Sequence, residues 1–154
     1  MLTDAEKLRI DEVAAAYETR DAASVEAMRI VQEGRGWVSD EALAGIAEYL
    51  GVSPSSLESL ATFYSLIFRR PVGRHVITVC DSVCCWMDGA DELIARLGER
   101  LGVGLGETSA DGRFTLLPVV CLGACDHAPA MMIDRQLHGN VDADGLEAIL
   151  ALYP

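Results

Sequence analysis

The chain is poor in bases: 12 lysines and arginines stand against 24 aspartates and glutamates in 154 residues, a formal net charge of −12. Phosphate binding needs clustered Lys and Arg, so nucleic acid is excluded as a partner and basic protein surfaces are favoured. No apolar run approaches the roughly 20 residues of a membrane-spanning helix. The N-terminus MLTDAEKLRI also lacks the basic-then-apolar plan of a signal peptide, so a cytoplasmic protein with no direct membrane insertion is expected. There is no C-x2-C pair, which argues against a zinc knuckle and a dithiol oxidoreductase. A Rieske-type centre would need two histidine ligands, and His127 alone cannot supply them. The one glycine-rich stretch, GVGLG at 102–106, is G-x-G-x-G after a helix and not the dinucleotide fingerprint, so it reads as a loop.

What is present falls into two parts that meet near residue 72. Residues 1–72 read as an N-terminal helical bundle with net charge −5, and residues 73–154 as a mixed strand-and-helix domain with net charge −7. Thr3 with Glu6 forms a capping box for a first helix, and a second runs from about Ala22 until Gly34 ends it. Ser39 caps a third helix that stops at Gly51, and Ser53 with Pro54 opens a fourth. Beyond RRPVG the period shortens to two: HVITVC (75–80) and RFTLLPVVC (113–121) are strands, the second introduced by an Asp111-Gly112 turn. A helix with Leu93, Ile94, Leu97 and Leu101 on one face lies between them. Residues 130–134 and 136–139 make a terminal hairpin, and VDADGLEAILALY a closing helix with Asp142 as N-cap. The fold class is α+β.

Five cysteines are present, an odd number that argues for metal ligation or redox chemistry over a disulfide framework in a reducing compartment. Three crowd into VCDSVCCWMDG (79–89) as Cys80, Cys84 and Cys85; Cys121 and Cys125 follow in VVCLGACDHAP. Cys80 and Cys121 both fall at ends of expected strands, where parallel neighbours would bring their following loops together. The spacing favours an iron-sulfur centre, leaving structural zinc and incidental buried thiols as alternatives, and by itself does not choose between Cys84 and Cys85.

The C-x4-C pair, followed by GETSADGRFTLLPVVCLGACDHAP and preceded by GVSPSSLESLATFYSLIF and RPVG, resembles the thioredoxin-like 2Fe-2S ferredoxins of the NADH-dehydrogenase module of respiratory complex I. The resemblance covers nearly the whole chain. It implies a helical bundle followed by a thioredoxin-like domain holding one 2Fe-2S cluster on Cys80, Cys85, Cys121 and Cys125. It further implies an electron-transfer subunit of NADH:quinone oxidoreductase, with FMN and NADH on a partner flavoprotein subunit and other peripheral-arm subunits as neighbours. The same family serves NAD-linked hydrogenases and formate dehydrogenases. Cys84 is then the spare thiol, expected to face away from the cluster and pack as a small buried hydrophobe.

Cys85 is expected near the start of the helix carrying Leu93, whose free N–H groups would support thiolate charge, with Gly123 letting the backbone approach sulfur. Phe63, Tyr64, Leu66, Ile67 and Phe68, followed by Arg69, Arg70 and Arg74, read either as a docking run or as core joining the halves. EALAGIAEYLGVSPSSLESLATF has the form of a helix-turn-helix, but its second helix carries Glu58 and no base, so phosphate repulsion defeats a DNA-binding reading. His75 and His138 are read as structural. Trp86 and Met87 are read as packing or as a shield beside a ligand, and Pro129 as a cis-proline.

Overall fold

The computed structural model describes residues 1–142 and 145–154 and divides into two compact units, Met1–Pro71 and Val72–Pro154. The first holds four helices: α1 (Asp4–Ala14), α2 (Ser24–Arg35), α3 (Asp40–Leu50) and α4 (Pro54–Phe63), with a short 3-10 turn at Arg20–Ala23 ahead of α2. Their starts follow from side-chain caps. Thr3 accepts from the Glu6 N–H while Glu6 reaches back to Thr3, and Ser39 and Ser53 accept from Ala42 and Ser56. Apolar side chains at helical spacing, among them Ile10, Met28, Val31, Ile46 and Leu57, close one core. The second helix runs past Gly34 and ends at Gly36, which adopts the left-handed conformation (φ 82°) that Gly34 was expected to supply. Of the apolar run after α4, Ile67 is buried while Phe63, Tyr64 and Leu66 remain exposed. Gln32 pins this run, donating to the Leu66 carbonyl and accepting from the Phe68 N–H.

The second unit is built on a four-stranded sheet in the order β2-β1-β3-β4, with β1 His75–Cys80, β2 Phe114–Val119, β3 Met131–Ile133 and β4 Gln136–His138. β1 and β2 are parallel, and β3 runs antiparallel to both β1 and β4. The edge position of β2 tolerates Pro118, which has no N–H to give a further neighbour. Side-chain alternation sends Ile77 and Val79 into a core with Leu93, Leu97, Phe114, Leu116 and Met131. Cys80, next in line, belongs instead to a small separate cluster with Cys85, Ala124 and Ala130.

The expected helix with Leu93, Ile94, Leu97 and Leu101 is α6 (Ala90–Leu101), and a short α5 (Val83–Met87) that the sequence reading did not include precedes it, the two separated at Gly89, whose φ of 97° leaves the right-handed region. One helical expectation needs correcting. The closing helix α7 covers only Leu146–Leu150, with Gly145 as its N-cap residue. Asp142 accepts from the Gly145 N–H, and residues 143 and 144 lie outside those described. The described helices include none long and apolar enough to cross a membrane.

Candidate metal centre

The parallel register pairs Cys80 with Val119, so β1 and β2 end side by side and their outgoing loops start at the same level. The Cys80 thiol then faces the Val120 carbonyl at 3.8 Å, and Ala124, between the second pair of cysteines, packs against Cys80 and Cys85. The structure therefore brings the two cysteine pairs to one end of the sheet. Cys80 and Cys85 are buried, while Cys121 and Cys125 are exposed with their sulfurs 3.9 Å apart. Among the described residues no three His, Cys, Asp or Glu side chains are arranged around a single metal ion. The thiols form instead a buried pair and an exposed pair.

Backbone N–H groups are directed at these sulfurs. Burial pushes the Cys80 thiol up, but donation from the Ser82 and Leu122 N–H groups and from Cys85 outweighs it and holds the thiol below its ordinary value. Cys85 is raised by burial and by the neighbouring Cys80, against a single N–H from Ala130. Gly123 donates to the Cys121 sulfur at 3.3 Å, from a φ of 76° that a side-chain-bearing residue would adopt only under strain. The expected Gly123 approach is thus present; Cys85 sits inside α5, packed with Ala90 at the start of α6, and the N–H that serves it is that of Ala130. Cys125 is pushed up to about 11, first by its hydrogen bond with the Cys121 sulfur and then by repulsion between thiolates at Cys121 and Cys84 and its own.

That crowding is a test of fit. Two thiol pairs, in which Cys80 raises the cost of deprotonating Cys85 and Cys121 that of Cys125, with amide donors aimed at their sulfurs, suit a cationic iron core that takes up thiolate charge. A dry apolar core would leave such donors idle. The donor set matches a 2Fe-2S cluster, with Cys80, Cys85, Cys121 and Cys125 as the residues that would hold it.

Cys84 departs from expectation. It is only half-buried, and it lies near enough to Cys125 to raise the cost of deprotonating that thiol. Adjacent residues on a short helix point to different sides, and here the second side is the opposite cysteine loop. Trp86 does not pack in a core: it is exposed and donates to Asp91 at 3.0 Å, and Met87 is exposed beside it. His75 is held by Asp134 and His138 by the Tyr153 hydroxyl, each at 2.8 Å, as structural side chains would be. The Ala128–Pro129 bond is cis.

Sequence reasoning missed the clamp on the second cysteine loop. Asn140 and Val141 donate to the carbonyls of His127 and Pro129, and Gly139 passes so near that an added Cβ would lie 2.5 Å from the His127 Cβ. A glycine after a hairpin reads only as a turn, so no signal in the sequence marked it.

A mixed sheet with cysteines on the loops at one end, and amides turned toward their sulfurs, defines a thioredoxin-like metal-binding protein. The family model for the thioredoxin-like 2Fe-2S ferredoxin matches residues 10–154, and the chain belongs to that family. It is 52% identical over 99% of its length to the E subunit of the NADH-quinone oxidoreductase of Pseudomonas aeruginosa, covering 92% of that protein. To the protein of the same name from Escherichia coli it is 48% identical, again over 99% of this chain and 92% of the other. Among solved structures it resembles the NAD+-reducing NiFe hydrogenase in its H2-reduced state, with a TM-score of 0.68 and 25% identity. That match covers 80% of this chain, which spans only 21% of the hydrogenase chain.

Proposed function

We propose that this chain is the electron-transfer subunit of an NADH:quinone oxidoreductase, holding one 2Fe-2S cluster on Cys80, Cys85, Cys121 and Cys125. The observation that carries the reading is the meeting of two thiol pairs under backbone N–H donors, in a chain alike over nearly its whole length to the E subunits of two NADH-quinone oxidoreductases. When bound, such a cluster supplies a one-electron centre, of low potential where all four ligands are thiolates.

The chain's own residues set the terms of that exchange. Buried Cys80 and Cys85 anchor the inner side, and exposed Cys121 and Cys125 mark the side where an electron enters or leaves. The N–H groups of Ser82, Leu122, Gly123 and Ala130 stabilise thiolate charge, while Asp81 and Asp126, each next to a cysteine, oppose it. NADH gives up a hydride, which a one-electron centre cannot accept, so FMN must stand between them. We place FMN and NADH on a partner flavoprotein subunit, which with other peripheral-arm subunits would hold this chain at the cytoplasmic face of the membrane without its inserting. The net charge of −12 favours a basic contact surface on that partner.

The second reading, the equivalent subunit of an NAD-linked hydrogenase, has the likeness to the hydrogenase structure in its favour. Visible and EPR spectra of the purified chain, with iron and acid-labile sulfide assayed, test the cluster. The expected result is a reducible 2Fe-2S signal with two irons and two sulfides per chain. A colourless protein with stoichiometric zinc would overturn it. Identifying the subunits that co-purify from the native source then separates the two hosts, because both need a flavoprotein and only one needs a NiFe subunit.

A further inference from the structure

Among the described residues of the second unit, seven large apolar side chains are exposed, and four of them stand on the two segments that carry the cysteines: Val83, Trp86 and Met87 on α5, and Val120 next to Cys121. Val83, Trp86 and Met87 fall at i, i+3 and i+4, so they share one face of α5, opposite the buried Cys85. Scattered exposed apolar residues are ordinary, but a group beside one site is not. Trp86 is also held in place, because its indole N–H donates to Asp91 at 3.0 Å. An aromatic ring fixed in water between apolar neighbours has the composition of an interface centre, where Trp is a favoured anchor. The charge around this face has one sign. Residues 79–95 carry exposed Asp81, Asp88, Asp91 and Glu92 and no Lys or Arg; residues 119–130 carry exposed Asp126 and again neither base. The nearest cations are already engaged, His127 by Asp126 at 3.0 Å and Arg96 by Glu92 at 3.4 Å.

We propose that Val83, Trp86, Met87 and Val120 form the face on which the flavoprotein partner docks, and that the partner offers an apolar socket for Trp86 inside a rim of Lys and Arg. The inference rests on the cluster and partner readings above, and adds where the partner sits and what it recognises. Trp86 adjoins Cys85 in the chain and Val120 adjoins Cys121, so a protein seated here lies beside the exposed sulfurs and keeps water from them. The two parts of the face divide the work. The acids draw in and orient a basic surface, which governs the rate of association, and the buried ring governs how long the complex lasts.

The test titrates the intact, cluster-loaded chain against the FMN-loaded, NADH-oxidising subunit purified from the native source, measuring affinity and both rate constants. The side chains concerned are exposed, so every variant should keep the visible spectrum of wild type. Trp86→Ala should weaken binding about thirtyfold, as loss of an anchor does. Met87→Lys, which sets a base against a basic rim, should weaken it by a similar factor. Asp88→Asn should slow association and flatten its dependence on salt while leaving dissociation nearly unchanged. Leu152→Ala, equally exposed but off the cysteine segments, should bind as wild type does. Wild-type affinity in both Trp86→Ala and Met87→Lys would overturn the docking face. Sedimentation that shows the wild-type chain dimerising alone, and Trp86→Ala remaining monomeric, would overturn the choice of occupant in favour of a second copy. A loaded wild-type chain that does not bind the flavoprotein would sink the partner reading, and one without iron and sulfide the cluster reading, each taking this inference with it.

Discussion

At the scale of single residues, the cysteine site depends on side chains and glycines that do no chemistry. Gly139 is the clearest case. An alanine there would place its Cβ 2.5 Å from the His127 Cβ and 2.9 Å from the His127 carbonyl oxygen. His127 cannot withdraw freely, because its carbonyl accepts from Asn140 at 2.7 Å and it stands two residues from Cys125. Gly139→Ala is expected to cost about 1–3 kcal/mol, as overpacking does, and to lower the temperature at which the loaded chain loses its visible absorbance. Gly34→Ala supplies the contrast. Gly34 is exposed inside α2 with nothing within 4 Å of an added Cβ, so that change should leave the absorbance transition alone and stabilise its helix by about 0.5–1 kcal/mol. A wild-type transition in Gly139→Ala would show that the clamp does not secure the cysteine loop. The cysteine spacing made the two pairs legible in the sequence. The direction of Cys84 was not, because neighbouring residues diverge and what each meets depends on the loop from the other end of the domain.

At the scale of elements, local chemistry was readable and tertiary override was not. The capping residues Thr3, Ser39 and Ser53 each bind the N–H expected of them, since a cap needs only its own first turn. Helix ends were harder: α2 passes through Gly34 to Gly36, and the short α5 ahead of Gly89 was not foreseen, choices that packing makes among several glycines. The α1 cap also carries a consequence that the capping pattern alone did not suggest. Glu6 is buried and takes two hydrogen bonds from Arg35 of α2, at 2.8 and 2.7 Å, so the cap is also a tie between helices. The Arg35 guanidinium holds the Glu6 carboxyl at about 2, against an ordinary 4.5, with the Thr3 N–H and hydroxyl assisting and burial opposing. A carboxyl depressed on folding stabilises the fold above its unfolded value, and loses that contribution as pH falls from about 4.5 toward 2. Discounted for solvent screening, the tie is worth about 1–2 kcal/mol at neutral pH. Urea unfolding of wild type and Glu6→Gln should therefore differ by about that much at pH 7, and the gap should narrow by pH 3. A gap that stayed constant through this range would show that the ion pair is not its source.

At the scale of the whole molecule, the question is whether the two units are separate domains, as the change in composition and period near residue 72 suggested. We propose that they are. Each closes its own core: Ile10, Met28, Val31, Ile46 and Leu57 in one, Ile77, Leu97, Phe114, Leu116 and Met131 in the other. The four cysteines of the ligand set and the N–H groups that serve them all belong to the second unit. A unit this short buries a smaller share of its surface than a larger domain and has little stability to spare. Four Fe–S bonds between loops 80–85 and 121–125 would then supply much of what holds that end together, since metal binding to a site formed only on folding adds to folding free energy. The segment Val72–Pro154 produced alone is accordingly expected to take up two irons and two sulfides and to show the g-values and midpoint of the full chain. Stripping its iron with a chelator should cost it more cooperative unfolding than the same treatment costs the helical unit, which holds none of the five cysteines. Failure of the fragment to hold a cluster, with uptake restored by adding residues 1–71, would mean that the helical unit is part of the site and not a domain beside it.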